Sequence, residues 1–215
     1  MNSSAIAPLV TLDEASHVYT HREGFHPPSV TTILGAVPPF LGRFDRVAPD
    51  LLHYKRQLGI QVHRATHYYD EGDLDMATVD PVLAPYLDAW IRFRQEKHFR
   101  PTVLETAIYH PQYGYAGTLD RIGVVDVAEG RGLVLLDIKT GDSSMAGPQT
   151  AAYAEAWTAS HAGTPADAAL APLHRWTVQL HDDGRYILTV HTSRKDWRIF
   201  LAALELYIYA RSRKS

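Results

Sequence analysis

The segment Gly132–Thr140 constrains this chain more than any other. Four consecutive aliphatic residues, Leu133, Val134, Leu135 and Leu136, run into Asp137-Ile138-Lys139-Thr140. Such a run reads as a strand that folding will bury. Successive side chains of a strand point to opposite sides, so Asp137 and Lys139 share a face. A carboxylate and an ammonium on a buried strand are unusual unless they pair or bind something.

The strand before it sharpens the point. Tyr115–Val127 and Gly132–Thr140 flank Ala128-Glu129-Gly130-Arg131 and read as a hairpin. A four-residue loop, 128–131, pairs Val127 with Gly132. That register puts Asp120 opposite Lys139 and Ile122 opposite Asp137, and directly opposite residues share a face. A slip of one residue would break the cluster. Two carboxylates within reach of each other suit Mg²⁺ or Mn²⁺, which are commonly held by one or two carboxylates, waters and substrate phosphates. A lysine beside them can polarise a water or offset charge on a phosphate. The chemistry this suggests is metal-assisted phosphodiester hydrolysis. On its own, Asp120 with Lys139 also reads as a structural cross-strand salt bridge.

The remaining pattern supplies a frame. Helical spacing covers Pro49–Tyr69 and Val82 to Lys97, and Thr102–Tyr109 alternates like a strand. A helix opens near Gly147-Pro148 and runs from Gln149 to His161. Arg175–His181 and Arg185–Thr192 flank Asp182-Asp183-Gly184 as a second hairpin. Ser193, with Asp196 three residues on, approximates a capping box for a last helix, and Ser29 is a candidate N-cap for a short apolar segment. The order helix, helix, three strands, helix, two strands, helix predicts an α/β domain around a mixed, largely antiparallel sheet with helices on its faces. It lacks the regular βαβ alternation and glycine-rich phosphate loops of nucleotide-binding folds.

At 215 residues the chain is expected to be a single domain, with 1–48 an N-terminal extension packing on a catalytic core, 49–215. A net charge of −3 excludes a broadly basic nucleic-acid coat but not a nucleic-acid enzyme with one basic groove. The chain has no Cys, which excludes disulfides, thiol nucleophiles and Cys-ligated zinc or iron–sulfur clusters. It has neither a long apolar run nor a basic leader, so the expectation is a soluble intracellular (cytoplasmic) protein without membrane contact.

Asp120 followed by Asp137-x-Lys139 resembles the signature of the PD-(D/E)XK nuclease superfamily. Gly117-Thr118-Leu119-Asp120-Arg121-Ile122, Asp137-Ile138-Lys139-Thr140-Gly141, Gln149-x-x-x-Tyr153 and Gly59-x-x-x-His63 look like four motifs of its RecB-like and Cas4-like branch. They occur in order across residues 59–157. His17-x-Tyr19 and Pro28-Ser29-Val30-Thr31 are similar to small stand-alone phage-type exonucleases. Each motif alone is weak, and their conjunction is specific. The missing Cys restricts the resemblance to members without an iron–sulfur cluster.

The resemblance implies a restriction-endonuclease-like core: a mixed, mainly antiparallel central sheet flanked by helices. It implies an Mg²⁺- or Mn²⁺-dependent deoxyribonuclease acting in DNA recombination and repair, expected here to be an exonuclease leaving 5′-phosphates. A flap or nicking endonuclease, or a non-catalytic DNA-end-binding module, are the alternatives. By the same resemblance His63, Asp120, Asp137 and the backbone carbonyl of Ile138 would bind metal, with Glu105 a lesser candidate. Lys139 would position or activate the water. Gln149 and Tyr153, one turn apart on a helix, would support the site and contact DNA. Tyr115 and Arg121 are further candidates for DNA contact. His67, four residues after His63, reads either as a support for the site or as a surface histidine. Arg92–Arg100 reads equally as a DNA groove or a solvated helix end. Single- or double-stranded DNA ends are the expected substrate, with a single-strand-annealing or single-strand-binding protein a candidate partner.

Overall fold

The computed structural model describes residues 9–13, 15–38, 40, 47–127, 130–161 and 173–213. Among the described residues, seven strands and five α-helices follow in the order β1 (Val10–Asp13), β2 (Val18–His21), α1 (Val30–Gly35), α2 (Pro49–Glu71), α3 (Ala84–Glu96), β3 (Arg100–His110), β4 (Tyr115–Val127), β5 (Gly130–Lys139), α4 (Ala146–His161), β6 (His174–Leu180), β7 (Tyr186–His191) and α5 (Lys195–Ser212). Strands β3 to β7 form one sheet in sequence order, antiparallel except where β6 pairs parallel to β5. A parallel neighbour needs a crossover, and α4 supplies it. The small β1–β2 hairpin, which the helix-and-strand reading of the sequence did not include, packs beside β3.

Helices cover both faces. On one side α1, α4 and α5 bury Ile33, Leu34, Ala152, Tyr153, Phe200 and Leu204 against Tyr115, Leu119 and Leu135. On the other, α2 and α3 bury Leu58, Val62, Leu87, Trp90 and Phe93 against Val134, Leu136 and Ile138. β5 is therefore apolar on both faces because helices lie on both. Ser29 caps α1, accepting from the Thr32 amide at 3.0 Å. Ser193 accepts from the Lys195 amide (3.2 Å) at the start of α5. Asp196 turns instead to Arg175 (2.9 Å) and makes no capping box.

The β4–β5 register differs from the four-residue loop expected. Val127 pairs with Gly130 and Ile122 with Leu135, an offset of two residues. Asp120 is thereby carried toward Asp137 rather than Lys139. An even offset preserves which face each residue shows, so the acids and the lysine stay together.

The β3–β4 ladder shifts register by one residue between Pro101 and Val103, and a second irregularity follows. Leu104 pairs with Arg121 and Thr106 with Leu119, in unbroken register, yet Glu105 between them has φ +33°. Val103 and Ile122 lie on the α4 side before this point, and so do Ile108 and Leu119 after it. Each strand therefore changes which parity faces the α4 side, at Glu105 in β3 and at Asp120 in β4. A left-handed glutamate inside a strand costs free energy and is found where surroundings over-determine it.

Candidate active site

β5 ends in a polar relay. The Asp137 side chain is only 2% exposed, and Lys139 Nζ lies 2.9 Å from its Oδ1 and 2.8 Å from its Oδ2. Only the Oδ1 contact has hydrogen-bond geometry, leaving Oδ2 buried with its acceptor capacity unspent. Lys139 also donates to Gln149 Oε1 at 3.2 Å, and Gln149 Nε2 donates to the Tyr153 hydroxyl at 3.0 Å. The ammonium is thus held between a carboxylate of the sheet and an amide of α4. Tyr153 in turn lies on Gly117 of β4, where a Cβ would come within 2.5 Å of its ring. Only glycine lets the strand and the aromatic ring approach this closely.

Burial pushes the Asp137 carboxyl up to about 6, against the opposing pull of Lys139 and with the added repulsion of Asp120. Burial likewise raises the Tyr153 phenol far above its ordinary range, so it stays a neutral hydrogen-bonding group.

Asp120 stands where β4 and β5 part. The last ladder pair is Arg121–Leu136, and beyond it the Ile138 amide donates to Asp120 Oδ2 at 2.7 Å. One carboxylate oxygen therefore holds the strands together at their fork. The other, Oδ1, is 3.7 Å from Nδ1 of His63, which α2 brings across the sheet end. Helix α2 can pass this close because position 59 is glycine, whose missing Cβ would sit 3.3 Å from Thr140 Oγ1.

Among the described residues, no group of three His, Asp or Glu side chains is drawn together tightly enough to hold a metal ion alone. The donors that converge are nevertheless those a hard cation accepts. They are the buried, unspent Oδ2 of Asp137, the outward Oδ1 of Asp120 and the ring of His63. Mg²⁺ commonly takes one or two carboxylates and completes its shell with water and substrate phosphate, so this set fits an ion shared with substrate. Glu105 lies apart from Asp137, between Nδ1 of His67 (4.0 Å) and Nη1 of Arg121 (3.5 Å). His67 also faces Glu71 at 3.4 Å.

Four expectations of DNA contact are corrected. The Arg121 side chain is 0% exposed. Its Nε donates to Asp70 Oδ2 at 2.7 Å and its Nη1 to the Asp120 carbonyl at 2.7 Å. Tyr115 is fully buried, with its hydroxyl donating to the Ala152 carbonyl. Gln149 and Tyr153 are buried too and spend their polar atoms on Lys139 and on each other. None of these four presents a surface to a strand. The Arg92–Arg100 stretch is also largely committed: Phe93 and Phe99 are core residues, Arg94 binds Asp70 and Arg100 binds Asp126.

The residue the sequence reading missed is Asp70. Its side chain is 0% exposed and receives Arg121, Arg94 (2.7 Å) and Trp90 Nε1 (3.0 Å). It joins α2, the helix carrying His63, to β4, the strand carrying Asp120. A signal for it existed: Asp70 is seven residues after His63, two turns along the same stripe of α2. Tyr19 was singled out in sequence, and its hydroxyl meets Thr118 Oγ1 at 2.8 Å, two residues before Asp120.

A mixed, mostly antiparallel five-stranded sheet with one parallel crossover and helices on both faces is the architecture of a restriction-endonuclease-like core. No protein-family model and no curated protein matches the chain. Among solved structures it is similar to an alkaline exonuclease, LHK-Exo, from Laribacter hongkongensis. That match has 16% sequence identity and a TM-score of 0.33, and covers 87% of this chain and 92% of that one.

Proposed function

We propose that this chain is a divalent-metal-dependent DNA nuclease of the PD-(D/E)XK type, in its RecB-like branch, and that it acts as an exonuclease. The observation that carries this is the meeting of Asp120, Asp137, Lys139 and His63 at the fork between β4 and β5, with Lys139 tied to Asp137 and Gln149. Structural salt bridges need no such fork. Asp120, Asp137 and His63, with the backbone carbonyl of Ile138 between the acid and the lysine, would hold Mg²⁺ or Mn²⁺. When bound, the ion supplies charge to stabilise a phosphate and lowers the pKa of a water.

The chain's own residues do the rest. Lys139, fixed at two points, directs a water toward phosphorus and offsets charge on a non-bridging oxygen. Gln149 and Tyr153 hold the ammonium in place. The Ile138 amide fixes one oxygen of Asp120, leaving the other outward. Attack forms a bond from water oxygen to phosphorus and breaks the bond to O3′, giving a 5′-phosphate and a 3′-hydroxyl. The strand in the site is DNA presented as an end, because the chain's net charge of −3 gives no general affinity for duplex.

The test is digestion of 5′- and 3′-labelled linear single- and double-stranded DNA beside a covalently closed circle, in Mg²⁺, Mn²⁺ and EDTA, with Lys139→Ala in parallel. Loss of linear but not circular DNA, dependent on metal and abolished by the substitution, is expected. Cutting of the circle would make it an endonuclease. Tight binding without cleavage would make it a DNA-end-binding module.

A further inference from the structure

We infer that Arg56 is a substrate-positioning residue that takes a phosphate of the bound strand two or three nucleotides from the scissile bond; this rests on the nuclease reading. One stripe of α2 faces the site. Gly59 abuts Thr140 at the end of β5 and His63 reaches Asp120. Residues three and four apart on a helix lie one above the other. Arg56 is therefore the next side chain on this stripe toward the N-terminus of α2, beyond Gly59, where the helix overhangs the turn that follows Lys139.

Three observations give this position a ligand rather than a structural partner. Arg56 is exposed and, among the described residues, has neither a hydrogen bond nor an ion pair, whereas Arg94, Arg121 and Arg175 are each committed to a buried or half-buried aspartate. The acid on the turn below, Asp142, is turned to its own loop, accepting from the Ser144 amide at 2.8 Å. The first turns of α2, from Pro49 to Gln57, bury none of their side chains. This stretch of helix buries no side chain of its own and continues directly from the turns that carry Gly59 and His63 to the site.

The spacing selects the class of ligand. Seven residues of helix place Arg56 about 10 Å along the axis from His63, at about 1.5 Å per residue. Successive phosphates of one strand advance about 3.4 Å each. A guanidinium there meets the backbone and not the reacting atoms, and its planar fork suits a phosphate.

The experiment uses the full chain. Binding of a fluorescent 20-nucleotide DNA is followed between 50 and 200 mM NaCl in the Lys139→Ala background, with and without Arg56→Gln. Steady-state cleavage is measured with Lys139 intact. Arg56→Lys tests rescue. Arg198→Gln makes the same charge change on α5, which packs on α4 at the other face. Arg56→Gln is expected to raise KM about tenfold with kcat within twofold, and to flatten the log K against log salt slope by about 0.7–0.9, the signature of one lost phosphate contact. Arg56→Lys restores the slope and most of KM, and Arg198→Gln changes neither. Cleavage by the unaltered chain with slope and KM unmoved in Arg56→Gln overturns this assignment alone. An equal effect of Arg198→Gln also overturns it, by reducing it to net charge. Neither cleavage nor binding by the unaltered chain overturns it together with the nuclease reading.

Discussion

Replacing Asp70 by Ala tests the physical account of how the site is held. The Asp70 carboxylate has no solvent contact and accepts three hydrogen bonds, two from guanidinium groups at 2.7 Å and one from an indole at 3.0 Å. Arg94 is 24% exposed and can turn to water once its partner is gone, but Arg121 is 0% exposed and cannot. The substitution therefore leaves one buried cation whose remaining neighbours are a carbonyl, a hydroxyl, the half-exposed Glu105 at 3.5 Å and the ring of Trp90. Removing one partner of a buried pair costs roughly 3–5 kcal/mol. In a chain of this length each kcal/mol moves the melting temperature by about 2–4 °C, so the expected drop is about 6–20 °C. Calorimetry or thermal circular dichroism reads it, with urea titration checking that the denaturant slope is unchanged. A reversal is also expected. Asp70→Leu combined with Arg121→Met removes both buried charges and recovers a large part of the loss, because well-packed apolar replacements of a buried pair are close to neutral. A single-variant drop below about 2 °C, or a double variant no better than the single one, refutes it.

Three further outcomes are expected. Asp137, pushed up to about 6 from 3.8, binds its proton more tightly folded than unfolded. Its contribution to the stability of the metal-free protein is thus full below about pH 4 and lost as pH rises through 6, by on the order of 2–3 kcal/mol. Asp137→Asn flattens that fall in urea titrations at pH 4.5 and 7.5, and an unchanged slope would exclude the assignment. Mn²⁺-induced gain in melting temperature should be small at pH 5 and large at pH 7.5 in the unaltered chain, since the ion needs the ionised carboxylate. Gly117→Ala drives a methyl into the Tyr153 ring at 2.5 Å, which costs about 1–3 kcal/mol by overpacking. It should lower kcat by displacing Lys139 through Gln149, and an active, equally stable variant would show the ring is free to move.

Much of the fold was readable because local chemistry spoke for it: the aliphatic run of β5, the turn residues before β7, and the Ser29 cap. The pairing of Asp137 with Lys139 was readable from strand alternation alone. What escaped was long-range. The β4–β5 register depends on loop length, and residues 128–131 are compatible with a tight or a wider turn. Parity rescued the face assignment but not the opposite neighbour. Arg121 reads in sequence as a cation beside the key acid, hence as a DNA contact. Its partner lies 51 residues away on α2, a relation no spacing rule reveals. Tyr115, Gln149 and Tyr153 were placed near the right residues but on the wrong side of the surface, since only packing by α4 shows that they point inward.

The matched change of parity in β3 and β4 bears on how such a chain can lose or gain activity through insertion and deletion. Deleting Glu105 alone would throw the two strands out of step, exposing core residues on one side of the lesion. Deleting Glu105 and Asp120 together would remove one residue from each partner, keep the two strands in step and restore apolar alternation across this point, leaving only the register shift near Pro101. The sheet can therefore be built without the irregularity, and built with less strain. Inactive descendants of this fold should accordingly be recognisable by paired single-residue losses at these two positions, with Asp70 and Arg121 freed to become apolar.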